Sequence, residues 1–65
     1  MDNEEIRYRI NELVLEHRDL DDAINLMHER PYIDELQLRR MKTRKLKLKE
    51  EIVYLESKLI PDIEA

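Results

Sequence analysis

The apolar residues of this chain recur at alternating steps of four and three in two separate runs. The first run is Ile6, Ile10, Leu13, His17, Leu20, Ile24 and Met27, and the second is Leu38, Met41, Lys45, Leu48, Ile52, Leu55 and Leu59. This spacing is the heptad pattern of helices that pack along a common seam. We therefore predict two long amphipathic helices and an all-α fold.

Proline and aspartate residues mark where the helices should begin and end. Pro31 has no amide hydrogen and disfavours helix at the residue before it, so it separates the two runs. Asp2 and Asp34 are suited to cap the two helix N-termini, and Pro61 should stop the second helix. We predict one domain over residues 1–65 with helices at about 3–29 and 35–60, a turn at 30–34 and an extended tail at 61–65.

The short turn favours an antiparallel hairpin that resembles a coiled coil. In such a hairpin the alignment of the two helices determines which charged residues lie side by side. If Met27 packs beside Leu38, then Ile6 falls beside Leu59 at the other end of the seam. The charged residues on one flank then pair as Arg7 with Glu56, Asp21 with Lys42, and His28 with Glu35. The heptad frame continues through Pro31, so a kinked helix in a domain-swapped dimer is the alternative.

Two polar residues interrupt the otherwise apolar seam. Lys45 should lay its aliphatic stem in the seam and direct its ammonium group to Asp19 or Asp21, which would fix the register. For His17 and Asp21, one helical turn apart, the alternative is the start of a metal site or a pH switch. Two ligands on one helix do not complete a metal site, so we expect neither a metal ion nor a cofactor.

A second set of apolar residues lies beside the seam. Its members are Tyr8, Val14, Leu15, Leu46, Val53 and Ile60. A two-helix hairpin of 65 residues exposes much of each helix and has only a small core. Burying this second set against another copy would complete a four-helix bundle, so we expect a homo-oligomer that uses these residues. Scattered surface apolar residues are the alternative.

A basic run falls between residues 39 and 49. It contains Arg39, Arg40, Lys42, Arg44, Lys45, Lys47 and Lys49. Such a run suggests a polyanion site, but these residues are distributed around most of the helix and no aromatic residue lies among them for base stacking. The net charge of −4 also disfavours nonspecific nucleic-acid binding. We therefore expect charge matching with the acidic half of the first helix. Arg39, Arg40, Lys42, Arg44, Lys47 and Lys49 are the residues that a nucleic acid would use.

Composition argues against catalysis and against a membrane or secreted protein. The chain has no glycine and no cysteine, which excludes a glycine-rich phosphate loop, a disulfide framework and a thiolate metal site. Thr43 and Ser57 are the hydroxyl candidates, and neither lies in a recognisable catalytic turn. The N-terminal residues lack the features of a secretory signal, and no apolar run is long enough to span a bilayer. We expect a cytoplasmic protein without enzymatic activity or membrane contact.

Three segments of the chain carry a family resemblance. They are residues 16–21 (EHRDLD), 42–52 (KTRKLKLKEEI) and 59–65 (LIPDIEA). Together they resemble the YdcH-like family of short bacterial proteins of unknown function. This resemblance implies a small cytoplasmic helical hairpin or coiled coil with no assigned activity, cofactor or catalytic residue.

These observations converge on an interaction module. We expect a non-catalytic adaptor that self-associates and offers either an apolar helix face or its charged half to a protein partner. The binding would be of the helix-in-groove type or would complete a helical bundle. The alternative is a nucleic-acid-associated accessory protein that uses the basic segment 39–49.

Overall fold

A computed structural model describes residues 2–59, which form two α-helices joined by a short turn. Helix α1 is Asn3–His28 and helix α2 is Glu35–Lys58. Residues near the start of α1, such as Ile6, pack with residues near the end of α2, such as Leu55, so the helices run antiparallel. The predicted all-α helical hairpin is confirmed.

Both helices begin at the aspartate caps that the sequence predicts. The carboxylate of Asp2 accepts a hydrogen bond from the amide of Glu5 at 2.9 Å, and that of Asp34 accepts one from the amide of Gln37 at 3.1 Å. Each cap satisfies an amide that has no partner within its helix, and a carboxylate is favoured at the positive end of the helix dipole. The caps therefore fix where the two helices start.

Both helices end slightly earlier than predicted. Helix α1 stops at His28, and Glu29 forms its C-cap ahead of Pro31. Helix α2 stops at Lys58 because Leu59 is already extended, with φ −66° and ψ 131°. Proline at position 61 disfavours helix at the residue before it and has no amide hydrogen to donate back into the last turn. The predicted tail at 61–65 lies outside the described residues.

The turn is built without glycine. No residue in the described part of the chain has a positive φ, so the connection never requires the left-handed conformation in which glycine is favoured. The amides of Glu29 and Arg30 donate to carbonyls of the last turn of α1 at 3.2 Å each. A glycine-free sequence can therefore reverse direction here with ordinary backbone geometry.

The buried residues form two clusters along the seam. One contains Ile6, Leu13, Leu48 and Leu55, and the other, near the turn, contains Ile24, Met27 and Leu38. Leu13 and Leu48 are fully buried. The predicted neighbours Met27 and Leu38 share one cluster, and Ile6 and Leu59 share the other, as the register requires. The heptad positions therefore identify the core.

Replacing Leu48 with aspartate should unfold the hairpin. Truncating such a buried leucine to alanine costs about 2–5 kcal/mol, and the core of a domain this small supplies only about 3–5 kcal/mol. Aspartate adds the cost of burying a charge. We expect the helical circular dichroism of Leu48→Asp to be lost at 25 °C, whereas Leu46→Asp, at a position 58% exposed, should keep it. A helical Leu48→Asp protein would contradict this account of the core.

Candidate functional site

A lysine from α2 reaches across the seam to an aspartate of α1. The ammonium group of Lys45 donates a hydrogen bond to Asp21 at 2.5 Å, which confirms the predicted polar contact and selects Asp21 over Asp19. The hydrogen bond from Lys45, together with its positive charge, holds the pKa of Asp21 below its ordinary value of 3.8. His17 lowers this pKa further, and partial desolvation opposes the shift. The two side chains are tied together where the seam would otherwise be apolar.

The other ion pairs form on the opposite flank from the one predicted. None of the pairs Arg7–Glu56, Asp21–Lys42 and His28–Glu35 forms in the described chain. Instead, Arg9 contacts Glu51 at 3.2 Å and Arg44 contacts Glu16 at 2.9 Å. Lys45 takes Asp21, and exposed pairs gain close to zero net free energy, so matching signs alone do not bring them together. The predicted register of the two helices agrees with the core clusters, but the charged side chains pair on the other flank of the seam.

The basic run divides between two directions on α2. Arg39, Arg40, Arg44 and Lys47 surround Thr43 in a shallow groove of about 340 Å³. Lys42, Lys45 and Lys49 line a different groove of about 270 Å³ with His17, Ile24 and Leu46. This division agrees with the distribution of the basic residues around the helix that the sequence indicated.

Charge matching within the hairpin accounts for only part of the basic run. Arg44 and Lys45 are paired with acids of α1. The remaining basic residues of the segment have no acidic partner among residues 2–59. They are Arg39, Arg40, Lys42, Lys47 and Lys49. The expectation that α1 neutralises the whole segment was therefore too broad, because acids of α1 contact only two of its cations.

The predicted oligomer residues that lie within residues 2–59 are exposed, but they do not share one surface. Leu46 and Val53 lie seven residues apart on α2, and Val14 borders an adjoining groove with His17 and Lys45. Another exposed pair lies on α1, where residues 8 and 15 are a tyrosine and a leucine. Residue 15 is about 200° around the helix from fully buried residue 13, so it points away from α2. Residue 60 lies outside the described residues, and use of these residues as an interface stays a prediction.

One exposed surface follows α2 at helical spacing, and we call it the basic stripe. It consists of Arg39, Lys42, Leu46, Lys49 and Val53. Its steps of three and four keep all five residues within one narrow face of the helix. Leu46 and Val53 are 58% and 55% exposed, and shallow grooves run along both sides of Lys42 and Leu46. Apolar and cationic side chains thus alternate on a surface that nothing covers in the hairpin.

A second exposed surface follows α1, and we call it the acidic stripe. It consists of Tyr8, Glu12, Leu15, Asp19, Asp22 and Leu26. All six are exposed and lie within about 40° of one line along the helix, on the side away from α2. Sequence reasoning missed Leu26, which is 61% exposed. The signal was available, because Leu26 follows Tyr8 by eighteen residues, or about five full turns.

Three other exposed apolar residues were also missed, and they belong to neither stripe. They are Tyr32 in the turn, and Leu36 and Tyr54 on α2. Tyr54 is partly engaged, because the ammonium of Lys58 sits 4.7 Å from the centre of its ring. Leu36 and Tyr54 are eighteen residues apart on one face of α2, but only polar residues lie between them on that face, so the apolar pattern did not single them out.

The sequence offered Thr43 and Ser57 as hydroxyl candidates, and His17 with Asp21 as the start of a metal site. No cluster of histidine, aspartate and glutamate residues between 2 and 59 could hold a metal ion. The hydroxyl of Ser57 donates to the carbonyl of Tyr54 at 2.6 Å, and Thr43 lies among the cations of its groove. Neither helix of the described hairpin is long and apolar enough to cross a membrane.

Comparison with protein families assigns the chain. The family described as Protein of unknown function (DUF465) matches residues 10–56. The chain belongs to this family. The family contains the YdcH-like small proteins of unknown function, so the resemblance seen in the sequence is confirmed. No curated protein and no solved structure matches the chain significantly. The matched region includes the Lys45–Asp21 contact and the whole basic stripe.

Removing the charge of Asp21 should make stability depend less on pH. The pKa of Asp21 is lowered in the folded protein, so its contribution to stability is complete above 3.8 and is lost as the pH falls through the lower folded value. We expect Asp21→Asn to melt at a lower temperature than wild type near pH 7, and the difference to close in acid. Thermal melts from about pH 7 to about pH 2 measure this.

The matched control is Glu50→Gln, which removes a charge from an exposed residue with no ion partner in the described chain. Its melting temperature should track that of wild type over the same range. A constant gap between wild type and Asp21→Asn down to about pH 2 would show that asparagine acts through packing and that the charge contributes nothing.

Proposed function

We propose that this protein is a non-catalytic helical interaction module that self-associates and binds a protein partner through a helix face. The observation that carries the proposal is the basic stripe. Leu46 and Val53 stand more than half exposed on one face of α2, beside open grooves and between cations that have no acidic partner within residues 2–59. Apolar anchors that repeat along one face are the arrangement by which helices recognise other helices.

The amount of exposed surface also supports association. The accessible surface of the chain is 5626 Å². A compact monomer of 8.0 kDa exposes about 4,450 Å² by the usual scaling of surface with mass. The excess of about 1,200 Å² reflects an elongated two-helix shape, which leaves the outer side of each helix open to a partner. A contact along one stripe would give this small hairpin the additional core that a single seam does not provide.

Groove geometry favours a helix as the partner element. One groove of about 270 Å³ contains His17, Lys45 and Lys49, and a second of about 320 Å³ contains the same three residues with Val14 and Ile52. The two therefore continue into each other along the junction of α1 and α2. An added helix beside this junction would extend the two-helix layer toward a bundle. We also propose a cytoplasmic location and a bacterial source, on the strength of the family membership.

A nucleic-acid-associated role is the second candidate, and one observation favours it. Arg39, Arg40 and Lys47 converge on the groove around Thr43, and none of them has an acidic partner in the described hairpin. Three free cations would neutralise few phosphates, so such binding would be weak at physiological salt. The groove also lacks an aromatic ring on which a base could stack. The interaction module therefore remains our preferred function.

Breaking the apolar part of the basic stripe should dissociate the assembly. We expect wild type to exceed the mass of one chain in light scattering over a concentration series, and Leu46→Asp or Val53→Asp to return to that mass. Leu36→Asp is the matched control because Leu36 is 56% exposed, close to the 58% of Leu46, but lies off the stripe. All three variants should stay helical. If Leu46→Asp kept the wild-type mass, the assigned face would be wrong.

Removing cations from the groove around Thr43 should leave behaviour toward RNA unchanged. We expect neither wild type nor the double variant Arg40→Gln, Lys47→Gln to change mass when a short mixed-sequence RNA is added at low salt. These residues have no ion partner in the described chain, so the fold should be unaffected. A mass increase with RNA that disappears in the variant and at higher salt would favour the nucleic-acid role instead.

A further inference from the structure

We propose that the basic stripe is occupied by the acidic stripe of a second copy of this chain. This inference rests on the proposed self-association and specifies its geometry. Both stripes repeat at steps of three and four, both are exposed, and they carry opposite charges. The contact therefore joins two different surfaces, one from α1 of one copy and one from α2 of its neighbour.

An antiparallel alignment of the two stripes matches them position by position. Placing Leu15 opposite Leu46 fixes the register. The remaining positions then face each other as Tyr8 with Val53, Glu12 with Lys49, Asp19 with Lys42, and Asp22 with Arg39. In these five pairs every apolar residue meets an apolar residue and every acid meets a base. Leu26, the last residue of the acidic stripe, extends beyond Arg39 and has no counterpart in the basic stripe. The matched segments extend over about 21 Å, or four helical turns, which is sufficient for a helix-to-helix contact.

A parallel alignment loses this agreement. With Leu15 again opposite Leu46, the acidic residue at 22 falls opposite Val53 and the tyrosine at 8 falls opposite Arg39. Charges would then be removed from water against apolar side chains, which is unfavourable. The two stripes therefore specify that the contacting helices run antiparallel, in addition to specifying which charges pair.

The charges needed for this contact are available. Asp19 and Asp22 are exposed and have no basic partner among the described residues, and the same holds for Arg39, Lys42 and Lys49 with respect to acids. Glu12 is also exposed, and its carboxylate makes a long contact of 3.7 Å with Arg9 of its own helix. A two-fold contact of the basic stripe with itself would instead gather the cations of both copies without supplying an acid from the stripe. Like charges across an interface are costly, so the acidic stripe is the better occupant.

Contact between two different surfaces has a consequence for the assembly. Each copy keeps one acidic and one basic stripe, so association either closes into a ring or continues as a chain. Complementary charge also makes the contact sensitive to salt, because exposed ion pairs are screened at high ionic strength. Association should therefore weaken when salt is raised from about 0.1 M to about 1 M.

Charge reversal tests the pairing directly. The first variant, Arg39→Glu with Lys42→Glu, reverses two cations of the basic stripe, and the second, Asp19→Lys with Asp22→Lys, reverses the two acids that face them. The third variant carries all four changes. These residues are exposed and outside the ion pairs of the hairpin, so each variant should keep its helical circular dichroism. Light scattering and sedimentation over a concentration series give the mass of each.

We expect each double variant alone to associate at least tenfold more weakly than wild type. The fourfold variant should recover association, because the two reversed residues of α2 then face the two reversed residues of α1 and the remaining pair is unchanged. A mixture of the two double variants should recover it as well. Recovery by the fourfold variant is the decisive result. If the first charge reversal had weakened association by damaging the fold, a second charge reversal would not restore it.

Three outcomes would overturn the pairing, and they separate it from the proposed function. If wild type associates and reversal of the acidic stripe has no effect, the module self-associates through another surface and only this inference fails. The same conclusion follows if the fourfold variant stays dissociated while remaining helical. If wild type is a monomer at every concentration, self-association fails in both proposals, and the basic stripe is left to an acidic helix of another protein.

Discussion

A hairpin of two helices has a single interface, so each helix can bury one stripe and must leave the rest of its surface open. Here that seam buries Leu13 and Leu48 completely, with neighbours at heptad spacing on either side. Any further apolar residue is necessarily displayed, and the helical repeat arranges such residues into lines. The exposed stripes on α1 and α2 are therefore consequences of a fold that has no third layer to cover them.

The polar contact within the seam explains why one register is favoured over its neighbours. Lys45 lies among apolar residues with its ammonium on Asp21. Sliding the helices by one heptad would place Val14 or His28 where Asp21 stands, and neither offers a carboxylate. The lysine charge would then lose its partner in a partly desolvated position, which is costly. A single polar residue in a seam can specify alignment in this way although its net effect on stability is small.

Sequence was sufficient for the fold because the signals that determine the fold are local and periodic. Heptad spacing identified the core, and Asp2, Asp34 and Pro31 marked the helix starts and the turn. The surface ion pairs were mispredicted for the opposite reason. Arg9 and Glu51 find each other through side-chain reach and rotamer choice, and exposed pairs differ too little in free energy for sign matching to rank them.

The basic and acidic stripes were predictable only in part, less well than the fold and better than the surface ion pairs. Leu46 and Val53 were recognisable from their spacing of seven, but the same reasoning placed the α1 residues 8 and 15 beside them. Deciding that the α1 residues face away from α2 requires the angle of each residue about its own helix relative to the seam. That angle can be obtained from sequence once the seam is assigned. The separation of charge between the stripes becomes visible only after this step.

The seam and the exposed stripes consist of different residues, and this has a thermodynamic consequence for the proposed assembly. The seam is complete without either stripe, so a change on a stripe can abolish assembly while the hairpin remains. Assembly would nevertheless affect folding, because a binding partner that recognises only the folded hairpin stabilises it by mass action.

At about 0.1 M salt, repulsion between the net charges of −4 on neighbouring copies is largely screened beyond about 10 Å, whereas oppositely charged side chains in direct contact are screened less. An assembly joined by such contacts would therefore be most stable at moderate ionic strength, and accumulating net charge would oppose long open chains more than small closed rings.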